Sequence, residues 1–103
     1  MSSAADDRFA IIAVLERYSE CLDGRSWAGL ADVFTDDVEM DFEAWTQKGL
    51  DAVRQTIRSY LDGCGPSQHL LGNYRIELAG DRASSRCYCR VMHFGKGVHA
   101  GKT

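Results

Sequence analysis

Apolar residues recur every third or fourth position along the first quarter of the chain, at Ile11, Val14, Leu15, Tyr18 and Leu22. That spacing predicts one buried face of a helix, running from Asp7 to Asp23 behind a loose leader at residues 1–6. Gly24 follows as the residue expected to let the chain leave the helix. Ser26 is placed to cap a second, shorter helix through Trp27, Leu30, Ala31 and Phe34, and Thr35-Asp36-Asp37 breaks it. From Val38 to Phe42 the pattern changes to strict apolar–acidic alternation, the mark of a half-buried strand. Glu43 to Lys48 reads as a loop that carries Trp45. Gly49 then leads to a third helix, whose stripe is Leu50, Val53, Ile57 and Leu61, and Gly63-Cys64-Gly65-Pro66 ends it.

The remainder alternates with a period of two. Gln68 to Leu78 is expected as one long strand with a bulge or bend at Gly72. Ala79-Gly80-Asp81-Arg82 is the hairpin turn, and Ala83 to Phe94 the antiparallel partner. On that partner Ser85, Cys87, Cys89, Val91 and His93 share one face, and Arg86, Tyr88, Arg90, Met92 and Phe94 the other. Both faces carry bulky groups, so both are expected to be covered, one by helices and one by a partner chain. The glycine-rich stretch 95–103 reads as a loop-like tail. The order helix, helix, strand, helix, strand, strand is α+β: three helices over one face of a curved antiparallel sheet, with a small-molecule pocket between the layers.

Composition narrows the function without naming it. At 103 residues the chain is expected to be a single domain, 1–103. A net charge of −3 without a basic cluster argues against nucleic acid as the partner. The small, acidic N-terminus lacks the pattern of a signal peptide, and no apolar stretch is long enough for a membrane span. A cytoplasmic location with no membrane partner is therefore expected, with Cys21, Cys64, Cys87 and Cys89 reduced and packed as small hydrophobes.

Candidate chemistry starts at Asp23. A carboxylate at the negative end of a helix dipole is disfavoured by roughly 0.3–1 kcal/mol, and by rotation Asp23 lies at the edge of the buried stripe. A solvated acid, or one bonded to the next turn's backbone, is the plain explanation; a functional acid is the other. Cys87, Cys89 and His93 can share a strand face, but Cys-x-Cys lies flat along a strand and does not form the knuckle of a zinc site, so no metal is expected. Nothing beside any cysteine marks an activated nucleophile. Gly95-Lys96-Gly97 lacks the strand-to-helix setting of a phosphate loop. The run from Asp36 to Asp41 reads as a turn followed by the outer face of a strand.

In order along the chain, Tyr18, Asp23, Trp27, the run Leu30-Ala31-Asp32-Val33-Phe34-Thr35-Asp36-Asp37-Val38, Gly49, Gln68-His69-Leu70-Leu71-Gly72-Asn73 and Gly80-Asp81-Arg82-Ala83 form one further pattern. It resembles a SnoaL-like domain of the nuclear-transport-factor-2-like superfamily, over roughly residues 8–94. Within that group it is similar to scytalone dehydratase, bile-acid dehydratase and hexachlorocyclohexane dehydrochlorinase. The resemblance implies a cone-shaped α+β barrel and a base made of Asp23 paired with His69, with Tyr18 polarising a substrate oxygen. It also implies His93 as a second histidine and Asn73 as a polar pocket residue. Trp45 is a candidate for the pocket mouth. Such domains continue past the second long strand with two more, so the barrel is expected to be incomplete at the C-terminus.

The pairing makes physical sense on its own. Neutral imidazole is a competent base near pH 7, and a carboxylate on one ring nitrogen fixes the tautomer and stabilises the imidazolium. A tyrosine hydroxyl can donate to oxygen as charge develops there. The structural alternatives are a His69 bonded to a backbone carbonyl and a Tyr18 packed in the core. The expected function is a cofactor-independent lyase or isomerase for a small hydrophobic cyclic, polyketide- or steroid-like molecule. The other reading is a non-catalytic module of the same fold that binds a ligand or protein. An uncovered sheet is an association hazard, so a homo-oligomer through the sheet is expected.

Overall fold

The first helix, α1, spans Ala4–Asp23 and so starts three residues before the Asp7 expected from the apolar pattern. The polar leader supplies its own reason. The Ser3 hydroxyl accepts from the Asp6 backbone N–H at 3.1 Å, and the Asp6 carboxylate accepts from the Ser3 N–H at 3.3 Å. This reciprocal capping box satisfies donors that a bare helix end would leave open. The protein is represented by a computed structural model describing residues 3–95; the expected tail lies, from residue 96 on, outside the described residues.

The second helix is a 3₁₀ segment, Trp27–Asp32, and the Ser26 side chain makes no capping bond to it. Its tight turn allows Gly29 to sit against α1, where a Cβ would lie 2.8 Å from the Cys21 sulfur. Strand β1, Glu39–Asp41, pairs antiparallel with β2, Thr46–Lys48. The sequence reads the second of these as loop. The connecting residues Phe42-Glu43-Ala44-Trp45 lack the Asn-Gly or Asp-Gly signal of a hairpin. The turn is made instead by Glu43 in the left-handed region, φ 69, and by the Asp41 carboxylate accepting the Glu43 N–H at 2.8 Å.

Helix α2, Leu50–Leu61, follows Gly49, whose φ of 89 is one that L side chains rarely adopt. Its stripe behaves as the spacing predicts: Leu50, Val53, Ile57 and Leu61 are all buried, with Val53 fully so. With Cys21 and Leu22 of α1 and Leu30 of the 3₁₀ helix they make the core, against which Tyr18, Trp27, Phe34, Val38 and Met40 pack.

The long hairpin consists of β3, Ser67–Ala79, and β4, Arg82–His93, joined by the two-residue turn Gly80-Asp81. The pairing register shifts between Gly72 and Arg75, which is the expected bulge displaced by a residue: Asn73, with φ 52, takes the left-handed conformation. Two residues of β3 there oppose one of β4, and the inward parity moves from Ser67, His69 and Leu71 to Ile76 and Leu78.

Helix α1 lies against β3, held near its start by Arg8, whose guanidinium donates to the Ile76 carbonyl at 3.1 Å. It does not reach across β4, nearly all of which is exposed. The expectation that both faces of the second long strand are covered is therefore not met within this chain. For the same reason Val14, in the middle of the predicted α1 stripe, remains 41% exposed. The fold is α+β, helices on a curved antiparallel hairpin, and among the described residues the sheet does not close into a barrel.

Candidate active site

Asp23 is the last residue of α1, and the chain must turn sharply after it to reach the 3₁₀ helix. Gly24 does not make that turn, since its φ is −86. Arg25 does, with φ 54, a conformation that costs a non-glycine residue roughly 1–2 kcal/mol. Its guanidinium offsets the cost. Nη1 donates to the Leu22 carbonyl at 2.6 Å and to the Ser67 hydroxyl at 2.8 Å, and Nη2 donates to the Gly65 carbonyl at 2.6 Å. Bonds involving a charged group are worth about 1.5–3 kcal/mol each when sheltered. The end of α1 is thus fastened to the loop after α2 and to the first residue of β3.

This brings Asp23 onto β3. One carboxylate oxygen, Oδ1, lies 2.6 Å from His69 Nδ1, and the other, Oδ2, accepts the His69 backbone N–H at 2.9 Å. The Ser67 hydroxyl donates to Oδ1 at 3.2 Å. A carboxylate can only accept, so Nδ1 carries a hydrogen in this contact, and in the neutral ring Nε2 then keeps the lone pair. The His69 side chain is 9% exposed and that of Asp23 28%. Asp23 is therefore neither a solvated acid nor one spent on its own helix's backbone; three donors from β3 hold it.

Tyr18 is half-buried, its ring edge-on to Phe34 with centroids 5.7 Å apart. Burial, and then the charge of the Cys89 thiolate, push its hydroxyl above the ordinary tyrosine range. It therefore keeps its proton at neutral pH and remains a donor. The Cys89 thiol is itself pushed up by burial, then by Cys87 and by Asp23. Cys89 lies on the inward face of the hairpin, paired with Leu71. His93 stands diagonally across from His69 on the same face, rings perpendicular and centroids 5.9 Å apart.

The other two candidates stand elsewhere. Asn73, at the bulge, is exposed and lines a shallow recess of about 280 Å³ with Arg75, Arg86, Cys87 and Tyr88. Trp45 stacks on Phe42 at 4.5 Å, in the β1–β2 ribbon. The recess that includes Asp23, about 380 Å³, opens outward past Arg25, Leu61, Asp62 and Cys64. Among the described residues no cluster of three or more His, Cys, Asp or Glu is placed to hold a metal, and no helix is long and apolar enough to cross a membrane.

Two residues that sequence reasoning passed over belong to this site: Arg25 and Ser67. Signals for both were present. Arg25 puts a cation two residues beyond an acid at a helix C-terminus, and Ser67 precedes His69 by the two residues that place both on one strand face.

The comparisons with known proteins bear on the same frame. A family model described as a SnoaL-like domain matches residues 3–103. The chain belongs to the SnoaL-like domain family. An uncharacterised protein of Mycobacterium tuberculosis, Rv2910c, is 34% identical over 87 residues, which cover 81% of this chain and 58% of the relative. The chain thus spans little more than half the length of that curated relative. Among solved structures, Kfla4162 from Kribbella flavida superposes with a TM-score of 0.84 at 22% identity, over 91% of this chain and 68% of that one. A Novosphingobium aromaticivorans protein provisionally named an aromatic ring hydroxylase gives 0.82 at 27% identity, over 92% and 70%. Another from the same organism, provisionally named a scytalone dehydratase, gives 0.79 at 22%, over 88% and 62%. These similarities establish the nuclear-transport-factor-2-like fold of the SnoaL-like domain.

Proposed function

We propose that this SnoaL-like domain is a cofactor-independent lyase or isomerase of the dehydratase kind, acting on a small hydrophobic cyclic, polyketide- or steroid-like molecule. The observation that carries the reading is the 2.6 Å contact between the Asp23 carboxylate and His69 Nδ1. Nε2 of His69 takes a proton from carbon next to a carbonyl or hydroxyl-bearing ring position, and the C–H electron pair becomes the new double bond. Tyr18 donates to the oxygen on which negative charge develops. In a dehydration the leaving hydroxyl departs with the proton returned by the imidazolium, as water; in an isomerisation that proton goes back to a different carbon. Asp23 holds the tautomer and stabilises the cation without itself taking the proton. His93, edge-on to His69, is proposed as a substrate contact, whereas Asn73 and Trp45 stand apart from the dyad and are given no such role. The provisional names of two structural neighbours, one an aromatic ring hydroxylase and the other a scytalone dehydratase, support the reading. The four free thiols are in keeping with a reducing cytoplasm, the location we propose.

The test is Asp23→Asn against a panel of hydroxylated bicyclic ketones. Binding retained with turnover lost supports the dyad; a variant that turns substrate over at the wild-type rate refutes it. A second reading, a non-catalytic module, is favoured by one feature: the outward face of the hairpin exposes Leu70, Tyr88 and Met92 together. Under either reading we propose that two copies meet through this face.

A further inference from the structure

We infer that Arg25 and Ser67 are positioning residues that fix the orientation of Asp23 and, through it, the tautomer of His69. The inference rests on the proton-abstraction reading above. A serine hydroxyl has one hydrogen and two lone pairs, and its rotation is free unless partners fix it. Here Arg25 Nη1 donates to the Ser67 oxygen at 2.8 Å, so the hydroxyl hydrogen is turned away from the guanidinium, toward Asp23 Oδ1 at 3.2 Å. The acceptor-only carboxylate draws the same hydrogen toward itself, so both partners favour one orientation; without the guanidinium the Ser67 oxygen loses the contact that holds it in place. Arg25 and Asp23 therefore fix the hydroxyl from both sides, with Ser67 held as a donor to Oδ1.

The same side chain sets the separation of the two catalytic groups. Its three acceptors are the Leu22 carbonyl at the end of α1, the Gly65 carbonyl in the loop after α2, and Ser67 at the start of β3. Asp23 follows Leu22 by one residue and His69 follows Ser67 by two. One rigid planar fork thus spans the two elements whose side chains must meet at 2.6 Å. All three bonds of the guanidinium go to neutral oxygens, which leaves its charge to act on the carboxylate one hydroxyl away. That charge also offsets the unfavourable placement of Asp23 at a helix C-terminus.

The experiment requires no substrate. The ring nitrogens of His69 are observed by 15N NMR of the full chain, with assignment from His69→Gln. Wild type is expected to show a protonated Nδ1, a bare Nε2 and a slowly exchanging, downfield Nδ1–H proton. In Ser67→Ala and in Arg25→Met the Nδ1–H proton is expected to exchange about tenfold faster, as the loss of one bond to a charged group implies, and the Nε2–H tautomer to appear. Arg25→Lys keeps the charge but not the fork, and falls between. A purely structural role would lower the melting temperature and leave the His69 spectrum of the folded variants unchanged, and that result overturns the inference. Should Arg25→Met fail to fold, Ser67→Ala, a deletion of one hydroxyl, decides the matter alone. A shift in Arg25→Met without one in Ser67→Ala also overturns the relay. A wild-type His69 already carrying its proton on Nε2 contradicts the dyad itself, and so refutes the proposed function rather than its supporting residues.

Discussion

Replacing Asp23 by Asn keeps the shape of the side chain and removes its ability to accept at both oxygens. Three donors point at the carboxylate: the His69 ring and Ser67 at Oδ1, and the His69 backbone N–H at Oδ2. The amide can keep its oxygen at only one of these places. If the oxygen faces the ring, the amide hydrogens meet a backbone N–H that cannot turn away, and a part-buried donor is left unpaired at a cost of about 1–3 kcal/mol. If it faces the backbone, the ring and the hydroxyl both reorganise: His69 moves its hydrogen to Nε2 and accepts at Nδ1. The second arrangement wins because an imidazole tautomer is freely exchanged and a backbone N–H is not. What remains is the difference between charged and neutral hydrogen bonds, discounted because Asp23 is 28% exposed, or roughly 1–2 kcal/mol in all. Urea unfolding should show a folded Asp23→Asn protein weakened by that amount with an unchanged slope. Because Nε2 now carries a hydrogen, turnover should fall by about 10⁴, the scale on which a serine-protease triad with the wrong tautomer fails. A variant as stable as wild type, with its ring hydrogen still on Nδ1, would show that the carboxylate does not govern His69.

Other consequences follow from the same packing. Tyr18 has a raised pKa, so it contributes no loss of stability below pH 10.0 and a progressive one as pH rises from there through its folded value; Tyr18→Phe should flatten that part of the alkaline unfolding curve, and an identical curve would contradict the burial of the hydroxyl. Gly29→Ala would set a methyl 2.8 Å from the fully buried Cys21 sulfur and 2.9 Å from Arg17 Nη2; calorimetry should find a loss of about 1–3 kcal/mol, and a neutral change would mean the 3₁₀ helix is free to shift. Leu70→Glu with Tyr88→Glu, on the outward face of the hairpin, should convert a dimer to a monomer in sedimentation equilibrium, whereas an unaltered mass would place the interface elsewhere.

Where the sequence could be read, the signal was local. The α2 stripe and the period-two hairpin depend on residues close in the chain, and both are found. The bulge was visible at Gly72, although the residue that takes positive φ is its neighbour Asn73. Strand β2 is invisible because three residues, Thr46-Gln47-Lys48, are too few to show alternation. Exposure of Val14 depends on what lies opposite α1, which periodicity does not report. The approach of Asp23 to His69 spans 46 residues and came from family resemblance, not from spacing. Arg25 shows the limit most clearly: its left-handed backbone is tolerable only because partners 40 and 42 residues away hold its guanidinium.

The most direct measurement is deuterium incorporation. A bicyclic aromatic ketone with an acidic ring C–H is incubated with the protein in heavy water and followed by proton NMR. The account predicts that wild type exchanges that hydrogen faster than buffer does, that His69→Gln abolishes the excess, and that Asp23→Asn reduces it by about 10⁴. Exchange at the buffer rate despite demonstrable binding of the ketone, or an excess that survives His69→Gln, would contradict proton abstraction by the Asp23–His69 pair and leave a domain that binds without reacting.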